Sequence, residues 1–149
     1  MSIGEICNRE VVYINRDVTV NAACKLMRHY HTGSLVVVDE VGGKRVPVGI
    51  LTDRDVVVEI DAMDLDAKVI TAGDIMSSQL VTVAESHGVM ETIELMRFKA
   101  VRRMPVVDTD GRLIGIVTID DLLEVLAEEL TGIARIVARE QSHEQQARR

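Results

Sequence analysis

The stretch Gly49-Ile50-Leu51-Thr52-Asp53-Arg54-Asp55 returns 66 positions later as Gly115-Ile116-Val117-Thr118-Ile119-Asp120-Asp121. The glycine, the first isoleucine, the threonine and the last aspartate match. In each copy an apolar run leads into Thr-x-x-Asp, which is typical of a strand that turns directly into a helix. A duplicated strand-to-helix corner in a chain of 149 residues predicts two equivalent halves with a pseudo-symmetric cleft between them.

The repeat extends well beyond this corner. A shift of 69 positions places Arg9–Asp39 on Ser78–Asp108 without a gap. The first half then carries three extra residues within Glu40–Val46, where a hairpin turn is expected and a longer chain costs little. Two copies indicate a closed pair of modules and not an open solenoid.

Apolar periodicity gives each half the order β-α-β-β-α. The fold class is therefore α/β (α+β), with two pseudo-symmetric units and a C-terminal helical tail. Gly132 is expected to interrupt the last helix, and the polar end from Gln141 onward is expected to fray. The predicted strands are 11–14, 35–38, 46–51, 80–83, 104–107 and 113–117, and the predicted helices are 18–30, 52–62, 87–99 and one that starts at 118. We divide the chain into unit 1 (1–62), a linker (63–72), unit 2 (73–130) and a tail (131–149).

Composition limits the function classes. Hydrophobic residues make up 47% of the chain and aromatic residues only 2%, so the core must be aliphatic. The net charge of −7 disfavours duplex nucleic acid, whose binding depends on a basic face. No apolar run approaches the roughly 20 residues of a membrane helix, and Met1–Arg16 lacks the apolar stretch of a secretory signal. We expect a cytoplasmic protein without a membrane segment.

Nothing in the sequence indicates catalysis or a metal site. Cys7 and Cys24 lack the spacing of metal ligands, and the repeat aligns them with Met76 and Ile93, which predicts free thiols in apolar surroundings. The sequence contains no Ser-His-Asp or Cys-His constellation and no phosphate-binding glycine run. We therefore predict that the protein is not an enzyme and requires no metal or cofactor.

The corner itself has two interpretations. In the first, Thr52 and Thr118 cap their helices, and the carboxylates of Asp55 and Asp121 reach back to complete a capping box. In the second, the corners bind a ligand. Gly49 and Gly115 would let it approach the backbone, the free amides of the helix start would favour phosphate, and each carboxylate could accept from ribose hydroxyls. The spacing is compatible with both.

The doubled unit resembles a known family. Met104-Pro105-Val106-Val107-Asp108, followed by the second copy of the corner, is similar to a tandem pair of cystathionine-β-synthase (CBS) domains, a Bateman module. The resemblance covers about Gly4 to Leu130. It implies two intertwined units packed sheet to sheet, with two clefts that in many members bind AMP, ADP, ATP or S-adenosylmethionine.

The resemblance also implies roles for single residues. By position, Thr52 and Asp55 would serve one cleft and Thr118 and Asp121 the other, with each aspartate on a ribose. Arg103 lies two residues before Pro105, where the family often has a basic residue that contacts phosphate, and Arg102 lies beside it. The first copy has Gly33-Ser34-Leu35-Val36 at the equivalent place and lacks both the arginines and the proline. The two clefts are therefore expected to be unequal.

These observations predict a stand-alone regulatory module that senses an adenosine nucleotide or an adenosyl metabolite. It would signal through its oligomeric state or through a protein effector in trans, and a homodimer is expected because apolar helix faces need cover. The alternative is a structural or interaction scaffold whose clefts are vestigial and bind nothing.

Overall fold

The computed structural model describes residues 1–148 of the chain. The predicted element order is present in both halves. The first half contains α1 (Ile3–Ile6), β1 (Tyr13–Asn15), α2 (Val20–Tyr30), β2 (Ser34–Val41), β3 (Lys44–Thr52) and α3 (Asp53–Val56), which continues as a π-helical turn (Val57–Asp61). The second half contains α4 (Ala72–Ile75), β4 (Val83–Ala84), α5 (Val89–Lys99), β5 (Arg103–Val107), β6 (Leu113–Thr118) and α6 (Ile119–Ala147).

Each half forms a three-stranded sheet of the same design. In the first sheet β1 runs parallel to β2, and β2 pairs antiparallel with β3; β4, β5 and β6 repeat this order. The register places Ser34 opposite Thr52 and, in the second sheet, Arg103 opposite Thr118. The mixed α and β class and the pseudo-symmetric pair of units are confirmed.

Element bounds differ most at the edge strands. The predicted strands 11–14 and 80–83 shift to Tyr13–Asn15 and Val83–Ala84. An edge strand is defined only where its backbone meets its single neighbour, and this is not visible in apolar content. Here β1 meets Val36–Val38 and β4 meets Val106–Val107. The central strand β2 is longer than predicted, because it continues through Val41 to the inserted turn.

Both cores are aliphatic, as expected. One cluster centres on the second sheet and α5; its buried members are Ile3, Val83, Met96, Met104, Val106, Val117 and Leu122. The other centres on the first sheet and α2; its buried members are Ile14, Ala23, Met27, Leu35, Val37, Leu51 and Ala72. Each cluster contains one buried member that precedes the first strand of the other half, Ile3 in the first cluster and Ala72 in the second.

These two residues belong to segments that cross between the halves. The amides of Ile3 and Gly4 donate to the carbonyls of His87 and Glu85, at 2.8 and 2.9 Å. Asn8 forms a bridge with Ile116. In the same way Ala72 N donates to Val18 O at 2.8 Å, and Ser77 bridges to Ile50. The division at residues 62 and 73 stays a prediction, but the packing shows that each half is completed by the segment that precedes the other half's first strand.

The linker packs on the first half, and the tail is more ordered than predicted. Ala67 O and Ile70 O accept from the first amides of α2, at 2.9 Å each, so the segment 63–72 holds the start of that helix. Gly132 does not interrupt α6, and the helix runs from Ile119 to Ala147 instead of fraying from Gln141. One glycine within 29 residues costs only about 1 kcal/mol, too little to break a long helix. Within residues 1–148, no helix is both long and apolar enough to cross a bilayer.

Candidate functional site

Both corners are complete capping boxes. Asp55 N donates to Thr52 Oγ1 at 3.2 Å, and Thr52 N donates to Asp55 Oδ2 at 2.8 Å. At the second corner the equivalent distances are 3.3 and 2.8 Å, and Thr118 Oγ1 also donates to Asp121 Oδ2 at 2.9 Å. The capping interpretation of Thr-x-x-Asp is therefore confirmed at both positions. It leaves the ligand interpretation open, because these contacts use only one of the two carboxylate oxygens, Oδ2.

The two corner glycines serve packing. A Cβ atom on Gly49 would lie 2.5 Å from Met76 Sδ and 2.9 Å from Ser77 O. On Gly115 it would lie 2.6 Å from Cys7 Sγ and 2.9 Å from Asn8 O. The space that we expected a ligand to use is filled by the crossing segments. A direct ligand contact at either glycine stays a prediction. The glycines themselves are explained by the close approach of the crossing segments and not by space for a ligand.

A cavity of about 870 Å³ opens at the second corner. Its volume lies within the range of small-molecule sites. It lies between the two halves, since its wall combines β6 with the start of β2, the end of α2 and the segment that leads into β1. The lining residues are Asn8, Glu10, Val11, Val12, Tyr13, Leu26, Tyr30, His31, Thr32, Ser34, Val36, Ile116 and Thr118.

The cavity has an apolar wall and a polar end. Val36, from β2, and Ile116, from β6, are branched aliphatic residues of this wall. At the polar end the Thr32 hydroxyl donates to Ser34 O at 3.1 Å, which fixes a turn immediately before β2. The Thr118 hydroxyl lies at the start of α6. This combination suits a flat, partly apolar ring system joined to a group that carries hydroxyls.

Of the eight predicted site residues, only Thr118 lines this cavity. Asp121 lies behind Thr118, half-buried and joined to it by the capping hydrogen bonds. Thr52 and Asp55 occupy the first corner, in the other half.

The two arginines do not line the cavity either. Arg102 is exposed, and its carbonyl accepts from Ile119 N at 2.9 Å. Arg103 is half-buried on β5 opposite Thr118 in the register. Their predicted contact with phosphate therefore gains no support from the cavity at Thr118.

The opposite half contributes residues that were not predicted from the sequence. Ser34 belongs to the segment in which the first copy departs from the second, and Thr32 was not singled out, yet both lie at the polar end of the cavity. The signal was available in the pseudo-symmetry. Since the second corner faces the other unit, the start of β2 lies near Thr118 as well as opposite Thr52 in its own sheet.

The charge of the lining is acidic. Glu10 is an exposed carboxylate at the cavity, and no lysine or arginine of residues 1–148 lines it.

The cysteines and the acidic residues among residues 1–148 indicate neither a reactive thiol nor a metal site. Beside Gly115, burial raises the pKa of the Cys7 thiol, which keeps it protonated and poorly nucleophilic at neutral pH. Cys7 and Cys24 are both free. Within the described residues, no three His, Cys, Asp or Glu side chains are grouped to hold a metal ion.

Comparison with known proteins identifies the repeat. The model of the CBS domain matches residues 3–62 and 72–128. An uncharacterized protein of Methanopyrus kandleri is 39% identical over 125 residues, which cover 84% of this chain and 62% of that protein. The chain therefore spans less than two thirds of that relative.

Solved structures share the architecture. Hypoxic Response Protein I, solved with two coordinated zinc ions, is 31% identical with a TM-score of 0.72, over 83% of this chain and 98% of that one. A CBS domain pair solved in complex with 5′-methylthioadenosine and S-adenosyl-L-methionine has a TM-score of 0.72 over 87% of this chain and 98% of its own. At 22% identity this second likeness shows the fold alone. With both repeats matched and the doubled sheet design in place, the chain belongs to the CBS domain family, as a tandem pair of CBS domains.

Proposed function

We propose that the protein is a regulatory binding module, not an enzyme, and that the cavity at Thr118 holds an adenosyl ligand. The observation that carries this proposal is the cavity of about 870 Å³ between the two CBS units. The base would lie between Val36 and Ile116, and the ribose hydroxyls would face Thr118 and Asp121. Asp121 has Oδ1 to offer, because the capping contacts use Oδ2.

The charge of the cavity narrows the ligand class. A triphosphate brings several negative charges, and its sites in proteins carry cationic side chains or helix-start amides. The lining at Thr118 has Glu10 and no lysine or arginine among residues 1–148. Two amides of the first turn of α6 are already engaged, since Ile119 N donates to Arg102 O and Asp121 N donates to Thr118 Oγ1. We therefore favour an uncharged or cationic adenosyl metabolite, such as 5′-methylthioadenosine or S-adenosylmethionine, over ATP.

The helix α6 offers a route for the signal. Its first turn is held by Thr118 and Asp121, the residues that would meet the ligand. A ligand that forms a hydrogen bond with either side chain would alter the start of α6, a helix of 29 residues that projects from the fold. The output would be a change in how this helix meets a partner protein or a second copy.

One observation favours a second candidate function, a scaffold without a ligand. The Thr118–Asp121 contacts satisfy both side chains as a helix cap, so the corner is stable with the cavity empty. In that case the cavity would be a by-product of the smaller, neutral side chains of the segment Gly33–Val36. The two candidates differ in whether any adenosyl compound binds.

Isothermal titration calorimetry on the full chain tests the proposal. We expect 5′-methylthioadenosine or S-adenosylmethionine to bind once per chain and ATP to bind at least tenfold more weakly. Asp121→Ala should weaken binding at least tenfold, whereas Asp55→Ala should leave it within a factor of two. The second variant is a matched control, since both aspartates cap a helix in the same way but only Asp121 is hydrogen-bonded to a residue that lines the cavity, Thr118. Absence of binding by every adenosyl compound would favour the scaffold, and equal effects of the two variants would remove the cavity assignment.

A further inference from the structure

An apolar stripe runs along α6. It consists of Ile119, Leu123, Leu126, Leu130, Ile133 and Val137, at successive spacings of 4, 3, 4, 3 and 4 residues. We call these six residues the α6 seam. Spacings that alternate between three and four place all six side chains on one narrow face of the helix. The seam is about 27 Å long at 1.5 Å per residue.

The fold of the chain itself leaves this seam open. Leu122, which is 3% exposed, is the residue that anchors α6 in the core of the second unit. In contrast, Leu123 is 59% exposed, Leu130 67%, Ile133 60% and Val137 51%. From Ala127 to Ala147 every residue of the helix is exposed. From Leu130 onward the seam therefore does not pack on the body of the protein.

A projecting helix of this length needs a partner. Helices in water are marginal without tertiary packing, and most of their stability comes from burial of an apolar face. More than 20 residues of α6 extend past its last half-buried residue, Leu126. A regular pattern of large aliphatic residues at these exposed positions is what a two-stranded coiled coil buries as knobs in holes.

We propose that the α6 seam pairs with the α6 seam of a second copy of this chain in a two-stranded coiled coil. The seam is self-complementary, because every layer offers a branched aliphatic side chain that the same seam can match. Positions beside it hold the small, uncharged Ala127 and Ala134, which allow close approach. Charged residues lie on the outer side of the helix, where they stay solvated; these are Asp121, Glu124, Glu128, Arg135 and Arg139.

The charge pattern favours a second copy over an unrelated charged helix. Specificity for a foreign helix is usually set by charges at the positions that flank the seam. Glu129 is the one charged flanking residue of the central stretch 122–137, so the seam has little charge with which to select a foreign partner. The inference does not depend on the proposed ligand, since the pairing surface lies along the helix and outside the cavity.

Sedimentation equilibrium of the full chain tests this proposal. Leu130→Asp places a charge at the centre of the seam, and Thr131→Asp places the same charge on the next, exposed residue outside it. We expect the Leu130→Asp protein to have half the mass of the wild type and the Thr131→Asp protein to keep the wild-type mass. Without any other contact between copies, the two masses are the dimer and the 16.5 kDa monomer.

Ile133→Asp repeats the test one layer further along the helix. Circular dichroism at the start of the experiment establishes that each variant is folded, which is expected because both seam residues are exposed. A wild-type mass of 16.5 kDa at high micromolar concentration would overturn the proposal. Folded Leu130→Asp and Ile133→Asp proteins that both keep the wild-type mass would also overturn it.

Discussion

At the scale of single residues, helix capping and ligand binding require the same residue types at the repeated corner, so a sequence cannot separate the two roles. Thr118 and Asp121 are needed to start a helix whether or not a ligand binds. Gly115 looked like an opening for a ligand and is instead the place where Cys7 and Asn8 cross the strand. A glycine permits close approach, but only the structure shows what approaches.

Gly115→Ala should destabilise the protein by roughly 1–3 kcal/mol, because its Cβ would meet a backbone oxygen that cannot move alone. That oxygen belongs to Asn8 and lies 2.9 Å from the Cβ position. Chemical denaturation followed by circular dichroism measures the free energy of unfolding.

Gly132→Ala is the matched control, since a Cβ there meets nothing within 4 Å. It should stabilise the helix by up to about 1 kcal/mol. Equal effects of the two substitutions would show that the crossing segment does not require the glycine.

At the scale of elements, the crossing segments make the two units interdependent. The first turn of the chain, α1, contributes Ile3 to the core of the second sheet, and α4 contributes Ala72 to the core of the first. Neither unit has a complete core made only of its own continuous stretch. We therefore expect the pair to unfold as one cooperative body.

Ile3→Ala should lower the free energy of unfolding by about 2–5 kcal/mol, as for other large-to-small changes in a core. Ile3 is fully buried against the second sheet although it lies some 80 residues before it in the chain. Urea unfolding of the wild type and of the Ile3→Ala protein measures the difference in their free energies of unfolding.

Val69→Ala is the control, because Val69 is 71% exposed and should change stability by less than about 0.5 kcal/mol. A small effect of Ile3→Ala, or two separate transitions in the wild type, would contradict the interlocked arrangement.

The sequence predicted the elements well where local patterns determine them. The helices α2 and α5, the central strands and both capping boxes follow from periodicity and from Thr-x-x-Asp. It failed where distant segments decide the outcome. The edge strands shifted to meet their neighbours, and the cavity is lined by Thr32 and Ser34 from the half opposite Thr118. The prediction that Gly132 interrupts the last helix was wrong, because the low helix propensity of one glycine is outweighed by the other residues of α6.

At the scale of the whole molecule, the pseudo-dyad relates two corners with different surroundings. The corner at Thr118 faces the neutral segment Gly33–Val36, and a cavity opens there. The equivalent segment of the second copy carries Arg103, which the register places opposite Thr118 on β5 and outside the lining of that cavity. We expect the cavity at Thr118, whose lining has Glu10 and no lysine or arginine among residues 1–148, to suit uncharged or cationic adenosyl compounds.

The most direct test of the central claim is a crystal structure of the full chain grown with 5′-methylthioadenosine. We expect one nucleoside per chain, with its base between Val36 and Ile116 and its ribose within hydrogen-bond distance of Asp121. A nucleoside bound only at the Thr52 corner, or an empty cavity at saturating ligand, would contradict it.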